Sequence, residues 1–181
     1  LGKLGKREAI PYLLESLQNQ YSYLYWRAVE LLGGLGIESA TQSLVLALKH
    51  QDSEIRSRAA ELLGKHNNEF AVLGLLEALE DDEISVRIHA TSSLNKISKE
   101  IAIPILSRVL ENPKSNLCKS TIHALGEIAD ERAIPVLVKA LQDREWGVVS
   151  ALGKIGSTSA IPDLVKLLRH NDPCVRCIAA E

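Results

Sequence analysis

The sequence predicts an all-α fold built from helical hairpins that repeat about every 31 residues. An alanine recurs at that spacing, with a last step of 27 residues, at Ala9, Ala40, Ala71, Ala102, Ala133 and Ala160. Each of these alanines is followed by leucine four and eight residues later and by an aliphatic residue fifteen residues later. This spacing places apolar side chains on one face of each of two successive helices. A fixed period of this length indicates a repeat architecture.

The first helix of each hairpin has matching start signals. A glutamate that would stabilise the positive end of the helix dipole recurs every 31 residues, at Glu38, Glu69, Glu100 and Glu131. A proline lies in the predicted first turn, where its missing N–H removes no intrahelical hydrogen bond, at Pro11, Pro104, Pro135 and Pro162. These signals agree with the period.

The second helix has an apolar face and stop signals of its own. It is predicted to end near residues that tolerate the left-handed conformation, namely Gly5, Gly36, Asn67 and Gly156. In the fifth repeat four residues are missing after Val148. This gap predicts a hairpin shortened by about one helical turn.

We expect residues 1–181 to form a single repeat array. Its predicted parts are the end of a preceding repeat (1–8), four full repeats (9–39, 40–70, 71–101 and 102–132), a shortened repeat (133–159) and a truncated one (160–181). Because one hairpin cannot bury its apolar face alone, neighbouring hairpins should stack. We expect the natural protein to extend beyond both ends.

Composition and charge limit the classes of partner. The content of 46% hydrophobic residues is enough for a sizeable core, and the net charge of −2 provides no basic field for nucleic acid or anionic membranes. No apolar run approaches the roughly 20 residues that span a bilayer. Three cysteines make no disulfide framework, so a reducing, cytoplasmic location is expected.

The consensus of the repeats reads Ala-Ile-Pro-x-Leu, an Asp-containing turn, Val-Arg, Ala-Ala and Leu-Gly-x-Ile-Gly. It resembles the short HEAT-like repeats of phycobilisome lyase subunits, which also occur in bacterial scaffold and sensor proteins. The resemblance implies a right-handed α-α superhelix, a HEAT-like solenoid. The Val-Arg pair is present at Ile55-Arg56, Val86-Arg87 and Val175-Arg176.

The resemblance also implies a structural role for Arg56, Arg87 and Arg176. In such repeats this arginine usually braces adjacent hairpins through turn acids, for which Asp52, Glu83 and Asp172 are candidates. A guanidinium held by carboxylates in this way is a structural element. We therefore favour the brace over a ligand-binding role for these three arginines.

The exposed side of the second helices is the expected partner-binding surface, because it lines the concave face in HEAT-type stacks. Its predicted rows are Tyr23, Glu54, Ser85 and Asn116; Arg27, Arg58, His89 and Ser120; and Glu30, Glu61, Ser92, His123 and Ser150. These rows mix charges and lack the aligned basic residues that nucleic-acid binding needs. They favour a protein partner.

The first repeat carries an aromatic cluster in its turn and second helix, consisting of Tyr21, Tyr23, Tyr25 and Trp26. Tyrosine and tryptophan contribute much of the energy of protein interfaces, and Arg27 and Glu30 would form a polar rim. Alternatively, the cluster packs against a preceding repeat. Both interpretations stay open.

Catalytic signals are weak, and neither a metal nor a cofactor is predicted. Cys174 and Cys177 have Cys-x-x-Cys spacing but no second ligand pair. The histidines His66, His89 and His123 do not share one phase, and none precedes a glutamate, unlike the iron-binding His-Glu pairs of deoxyhypusine hydroxylase. The predicted function is a protein-binding scaffold or sensor segment. The alternative is a subunit of a bilin lyase that binds a tetrapyrrole and a phycobiliprotein.

Overall fold

The computed structural model describes residues 28, 31, 38–112, 115–140, 145–169, 171 and 173–180. Among these residues every regular element is helical, which confirms the predicted all-α class. The described α-helices are α1 (Glu38–Ala47), α2 (Ser53–Leu63), α3 (Glu69–Ala78), α4 (Ile84–Leu94), α5 (Lys99–Glu111), α6 (Cys118–Ile128), α7 (Ile134–Ala140), α8 (Glu145–Ile155), α9 (Ile161–Leu167) and α10 (Pro173–Ala180). Short 3₁₀ turns, Glu131–Ala133 and Thr158–Ala160, precede α7 and α9.

The chain forms two compact units, Leu1–Ser98 and Lys99–Glu181. In the first unit, α1 pairs with α2 and α3 pairs with α4, so each pair is a hairpin. The hairpins stack through both layers, because α1 packs on α3 and α2 packs on α4. The repeated leucines Leu44 and Leu75 are fully buried in this stack. The 31-residue period is thus the period of the core.

The second unit follows the same arrangement over three hairpins. The pairs are α5 with α6, α7 with α8, and α9 with α10. The first helices α5 and α7 pack together, and the second helices pack in the order α6, α8, α10. Leu106 and Leu137, at the phase of the buried leucines of the first unit, are also fully buried.

The first helices begin largely as their start signals predict. Glu69 is the first residue of α3, and the preceding Asn68 caps that helix by accepting a hydrogen bond from the Ala71 N–H. Pro162 lies in the first turn of α9. Pro104 differs, because α5 begins earlier than expected and includes this proline in its interior. The start signal therefore fixes the phase of the helix but not its first residue.

The shortening of the fifth repeat does not fall where the sequence suggested. We expected the gap after Val148 to remove a turn from the hairpin at that point, but α8 has 11 residues and equals α6 in length. The missing residues must therefore lie before Glu145. The physical reason is that α8 packs on both α6 and α10, so a shortened α8 would leave part of the apolar face of the 11-residue α6 uncovered.

The ends of α6 and α8 show the left-handed stop signal in two forms. Gly156 follows α8 with φ of 65°, as its glycine predicts. Ala129 occupies the equivalent position after α6 with φ of 49°, and its N–H bonds to the Leu125 carbonyl. An alanine in this conformation is strained because its Cβ approaches the following carbonyl. No sequence signal pointed to Ala129.

Replacing Ala129 by glycine is expected to stabilise the protein by about 1 kcal/mol, because glycine adopts the left-handed conformation without that clash. The measurement is urea unfolding followed by circular dichroism. The matched control is Gly156→Ala, which should destabilise by a similar amount. Equal stability of Ala129→Gly and wild type would contradict the expected strain.

Candidate functional site

The exposed side of α2 is set by the spacing of its buried residues. Ile55 and Ala59 are buried one turn apart. Glu54, Arg58 and Glu61 recur at intervals of four and three residues on another side of the helix, so their side chains form one row. Glu54 is exposed, and the other two are partly exposed.

Arg58 and Glu61 form an ion pair within this row. The hydrogen bond from Arg58 lowers the pKa of Glu61, although partial burial opposes the shift. Lys96, in the turn that follows α4, and His89 of α4, when it is protonated, act in the same direction. The structure thus brings together three residues of the predicted binding surface, Arg58, Glu61 and His89, in one electrostatic group.

His89 connects α4 to α2 through its ring. Its Nδ1 lies 2.8 Å from the Ser57 hydroxyl and 2.8 Å from the Ser85 carbonyl oxygen. Because a carbonyl oxygen can only accept, Nδ1 carries the hydrogen and donates it. In the neutral ring Nε2 is then the acceptor, so His89 can present an acceptor to a partner.

The second unit carries a similar group on α6 and α8. Glu127 accepts a hydrogen bond from Lys154 of α8, and this bond is the main cause of the lowered pKa of Glu127. The exposed His123 places Nε2 3.7 Å from a carboxylate oxygen of Glu127. The ion pair between Glu127 and Lys154 joins the successive second helices α6 and α8 on their polar side.

Among the described residues of the predicted rows, Ser120 does not lie on the surface. Ser120 was expected to project into solvent, but only 3% of it is exposed. Arg58 and His89, at the same phase, have longer side chains and stay partly exposed, whereas the short serine side chain does not reach the surface. The position of a residue in the repeat therefore predicts the direction of its side chain, and the length of the side chain determines whether it is exposed.

We define the second-helix face of each unit as its exposed or partly exposed polar side chains on and next to the second helices. In the first unit these are Glu54, Arg58, Glu61, Ser85, His89, Ser92 and, in the turn after α4, Lys96; in the second unit they are His123, Glu127, Ser150 and Lys154. Asn116, which the sequence placed in the same rows, is exposed in the turn before α6. The face combines acids, bases and hydroxyl groups in each unit. A partner would meet both signs of charge.

Arg56 connects two hairpin turns of the first unit. Its Nε and Nη2 donate to the two carboxylate oxygens of Asp81 at 2.8 and 2.9 Å. Its Nη1 donates to the carbonyls of His50 and Gln51 in the turn of its own hairpin. The brace therefore runs through Asp81. Asp52, a candidate partner from the sequence, instead caps α2 by accepting from the Glu54 N–H.

The equivalent arginines bind the turns that precede them. Arg87 donates from Nη1 to the carbonyls of Asp81 and Asp82 at 2.6 and 2.8 Å. Arg176 donates to the Asn171 carbonyl at 2.9 Å. The shared role of this arginine is to satisfy turn carbonyls of its own hairpin. Asp172, another candidate partner, lies outside the described residues.

Replacing Asp81 by asparagine is expected to destabilise the protein by about 1.5–3 kcal/mol at neutral pH, the range for hydrogen bonds to charged groups. The hydrogen bond from Arg56 is the main cause of the lowered pKa of Asp81. Its folded pKa is thus below the unfolded value, so this stabilisation is complete above about pH 4 and is lost at lower pH. Urea unfolding between pH 7 and pH 2 measures the effect.

The matched control is Asp82→Asn, because Asp82 is the adjacent acid and its side chain is exposed. This change should leave stability nearly unchanged. The difference between wild type and Asp81→Asn should shrink as the pH falls. A difference that stays constant down to pH 2 would contradict a role for the Asp81 carboxylate.

The aromatic cluster lies outside the described residues. This applies to Tyr21, Tyr23, Tyr25 and Trp26 and to the proposed rim residues Arg27 and Glu30. The cluster therefore stays a prediction.

Sequence reasoning missed an exposed apolar pair on α4. Ile84 and Ile88 are 63% and 59% exposed and lie one turn apart. The repeat could have revealed them, because the preceding hairpin has Ser53 and Ser57 at these two phases.

Other chemistry is limited in the described part of the chain. No group of three or more His, Cys, Asp or Glu side chains among those residues could hold a metal ion. Cys177 is exposed and forms no disulfide, and the side chain of Cys174 lies outside the described set. Of the helices that the structure describes, none has the length and apolarity required to cross a membrane.

Comparisons with known proteins agree with this architecture. A family model described as HEAT repeats matches residues 10–82 and 72–151. A second model, described as PBS lyase HEAT-like repeat, matches residues 146–170. No curated protein matches the chain.

Several solved structures are similar to this chain. One is the complex of CpcE and CpcF of phycocyanin lyase from Nostoc sp. PCC7120, with 29% identity, a TM-score of 0.46, and coverage of 77% of this chain and 62% of that chain. This chain thus spans less than two thirds of that relative. A designed armadillo repeat protein in complex with the peptide (KR)4 has 20% identity, a TM-score of 0.46, and coverage of 94% and 96%. Human deoxyhypusine hydroxylase in complex with glycerol has 19% identity, a TM-score of 0.44, and coverage of 95% and 82%.

Stacked hairpins with a shared core and an exposed second-helix face define a helical-repeat protein. The match to the HEAT model over most of the sequence identifies the kind of repeat. The chain belongs to the HEAT-repeat family.

Proposed function

We propose that this chain is a protein-binding scaffold segment whose partner binds along the second-helix face. The main support for this proposal is that the second-helix face presents polar side chains in both units, while the repeated apolar residues are buried in the core. Stacked repeats generate extended surfaces of this kind, which suit binding of another macromolecule. In this proposal the chain binds and does not catalyse.

The charges of the face favour a protein partner over nucleic acid. Arg58 is paired with Glu61, and Lys154 is paired with Glu127. Bases that are already neutralised by acids release few counterions from a phosphate backbone. A protein surface can instead match both signs of charge, which provides specificity.

The proposal can be tested by site-specific photo-crosslinking. A photoreactive amino acid is placed at Glu61 on α2 and at His123 on α6, and the chain is exposed to extract from its source cells. We expect the same partner to crosslink from both positions. Matched controls carry the photoreactive group at Gln42 and Pro104, which are exposed on first helices. Equal crosslinking from the control positions would overturn the proposed face.

The aromatic cluster can be tested in the same experiment. If Tyr23, Tyr25 and Trp26 are interface residues, replacing all three with alanine should reduce crosslinking from Glu61 without loss of helix content. If they pack against a preceding repeat, the replacement should lower stability instead. The two measurements separate the interpretations that the sequence left open.

A bilin lyase subunit is the second candidate function. The match of residues 146–170 to the PBS lyase HEAT-like repeat supports it. In this case the chain would bind a linear tetrapyrrole and a phycobiliprotein, and the attachment cysteine would belong to the phycobiliprotein. Incubation with a phycobilin should then produce red-shifted visible absorption. No such absorption and no transfer to an apo-phycobiliprotein would contradict this function.

A further inference from the structure

Hairpin α3–α4 exposes an apolar pair that the repeat does not require. Ile84 and Ile88 lie at positions i and i+4 of α4, so their side chains are neighbours on one face. They remain 63% and 59% exposed. In the hairpin 102–132 the same phases hold Ser115 and Lys119. The repeat pattern therefore does not require isoleucine at these two phases.

The turn that leads into α4 is unusually acidic. Residues 80–83 are Glu-Asp-Asp-Glu, whereas the equivalent segments 49–52 and 111–114 each contain one acid and one lysine. Asp81 is paired with Arg56. The side chains of Asp82 and Glu83 are exposed directly before Ile84. The apolar pair thus has an acidic border on its N-terminal side.

The nearby arginines leave this border acidic. Arg56 neutralises Asp81, and Arg87 directs its Nη1 to the backbone carbonyls of Asp81 and Asp82. Asp82 and Glu83 stay exposed beside these arginines, so the border in front of Ile84 carries negative charge. Isoleucine at both phases and a run of four acids occur together in this hairpin and not in the hairpins 40–70 and 102–132. Two unusual features at one place indicate a function other than packing.

We propose that Ile84, Ile88 and the acidic turn at 80–83 bind a basic amphipathic helix of a partner protein. Such a helix presents aliphatic residues at i and i+4 to the isoleucines and Lys or Arg to Asp82 and Glu83. Exposed apolar residues with a polar border commonly mark protein-interaction sites. This inference deepens the proposed function, since it gives the chemistry of the partner at α4, and it rests on that function.

The test uses a short helical peptide of leucine and lysine, with the leucines on one face, and fluorescence anisotropy. We expect binding that weakens as salt is raised. Replacing Ile84 and Ile88 by serine, the residue found at both phases in the preceding hairpin, should weaken binding about tenfold. The matched control Leu46→Ser removes an exposed leucine of α1 and should leave binding unchanged.

A second variant tests the charge. Asp82→Asn with Glu83→Gln keeps the size of both side chains and should weaken binding and reduce its salt dependence. A leucine–glutamate peptide of the same spacing should bind weakly. The proposal is overturned if neither peptide binds, if both bind equally, or if Ile84→Ser/Ile88→Ser binds like wild type. Crosslinking from Glu61 and His123 is measured independently, so the proposed function can stand when this inference fails.

Discussion

Replacing Gly64 by alanine is expected to destabilise the protein by about 1–3 kcal/mol, the usual range for overpacking. A Cβ at Gly64 would lie 2.8 Å from both Cβ and Oγ of Ser93 and 3.0 Å from its Cα. The first two distances are shorter than real Cβ contacts allow, and the third involves backbone that cannot rotate away. Helices α2 and α4 would have to separate, which disrupts the packing between the two hairpins of the first unit.

The same effect is expected at the corresponding position of the second unit. A Cβ at Gly126 would lie 3.0 Å from the Cα and Cβ of Ala151, where α6 packs on α8. Gly126→Ala should therefore also destabilise, by less than Gly64→Ala because the contact is less severe. Urea unfolding monitored by circular dichroism measures both changes.

Gly153 is the matched control, because it occupies the same phase in α8 and its Cβ would meet nothing within 4 Å. Gly153→Ala should stabilise by up to about 1 kcal/mol, since alanine favours the helix over glycine. If all three substitutions have the same sign, close helix approach is not the reason for these glycines.

These glycines illustrate what the sequence could and could not predict. The period, the buried alanines and leucines, and the helix-ending role of Gly156 all follow from spacing and from backbone preferences. The spacing assigned a helix-ending role to Gly5, Gly36 and Gly156 and no role to Gly126, which lies inside α6. Its role depends on the distance to Ala151, and a distance between two helices cannot be derived from the pattern of one.

The candidate site shows the same division. Phase correctly predicted that Glu54 and His123 project from the second helices. It did not predict that Asp81 receives Arg56, because partner choice among several turn acids depends on how the turns approach each other. Nor did it identify Ile84 and Ile88, because the other repeats have no isoleucine at these two positions. A position-by-position comparison of the hairpins would have detected both isoleucines.

A buried polar pair leads to the second large expected effect. Thr41 and His66 are 0% and 2% exposed, and the Thr41 hydroxyl lies 2.7 Å from the His66 Nδ1. The next repeat has Val72 and Ile97 at the same two phases. One repeat therefore replaces an apolar pair of the core with a hydrogen-bonded polar pair. Asn68 extends the network by donating to the Thr41 hydroxyl at 2.9 Å.

Thr41→Val is expected to destabilise the protein by about 1–3 kcal/mol, because it keeps the shape of the side chain but removes the hydrogen-bonding partner of a buried ring nitrogen. His66→Leu should also destabilise the protein, because it leaves the buried Thr41 hydroxyl without its hydrogen bond to His66. The double variant restores two apolar residues, as in the next repeat, and should be more stable than the sum of the single changes predicts. Unfolding of the four proteins in urea gives the coupling energy directly.

A coupling energy of about 1–3 kcal/mol is expected, since residues within one buried hydrogen-bond network are not independent. The matched comparison is Val72→Thr, which introduces a hydroxyl at the same phase opposite an apolar residue and should destabilise without any gain. If Thr41→Val and His66→Leu simply add, the two side chains do not depend on each other. If they couple, the core of this hairpin tolerates its two polar residues only as a pair. Replacing one of them by an apolar residue would then lower stability more than replacing both.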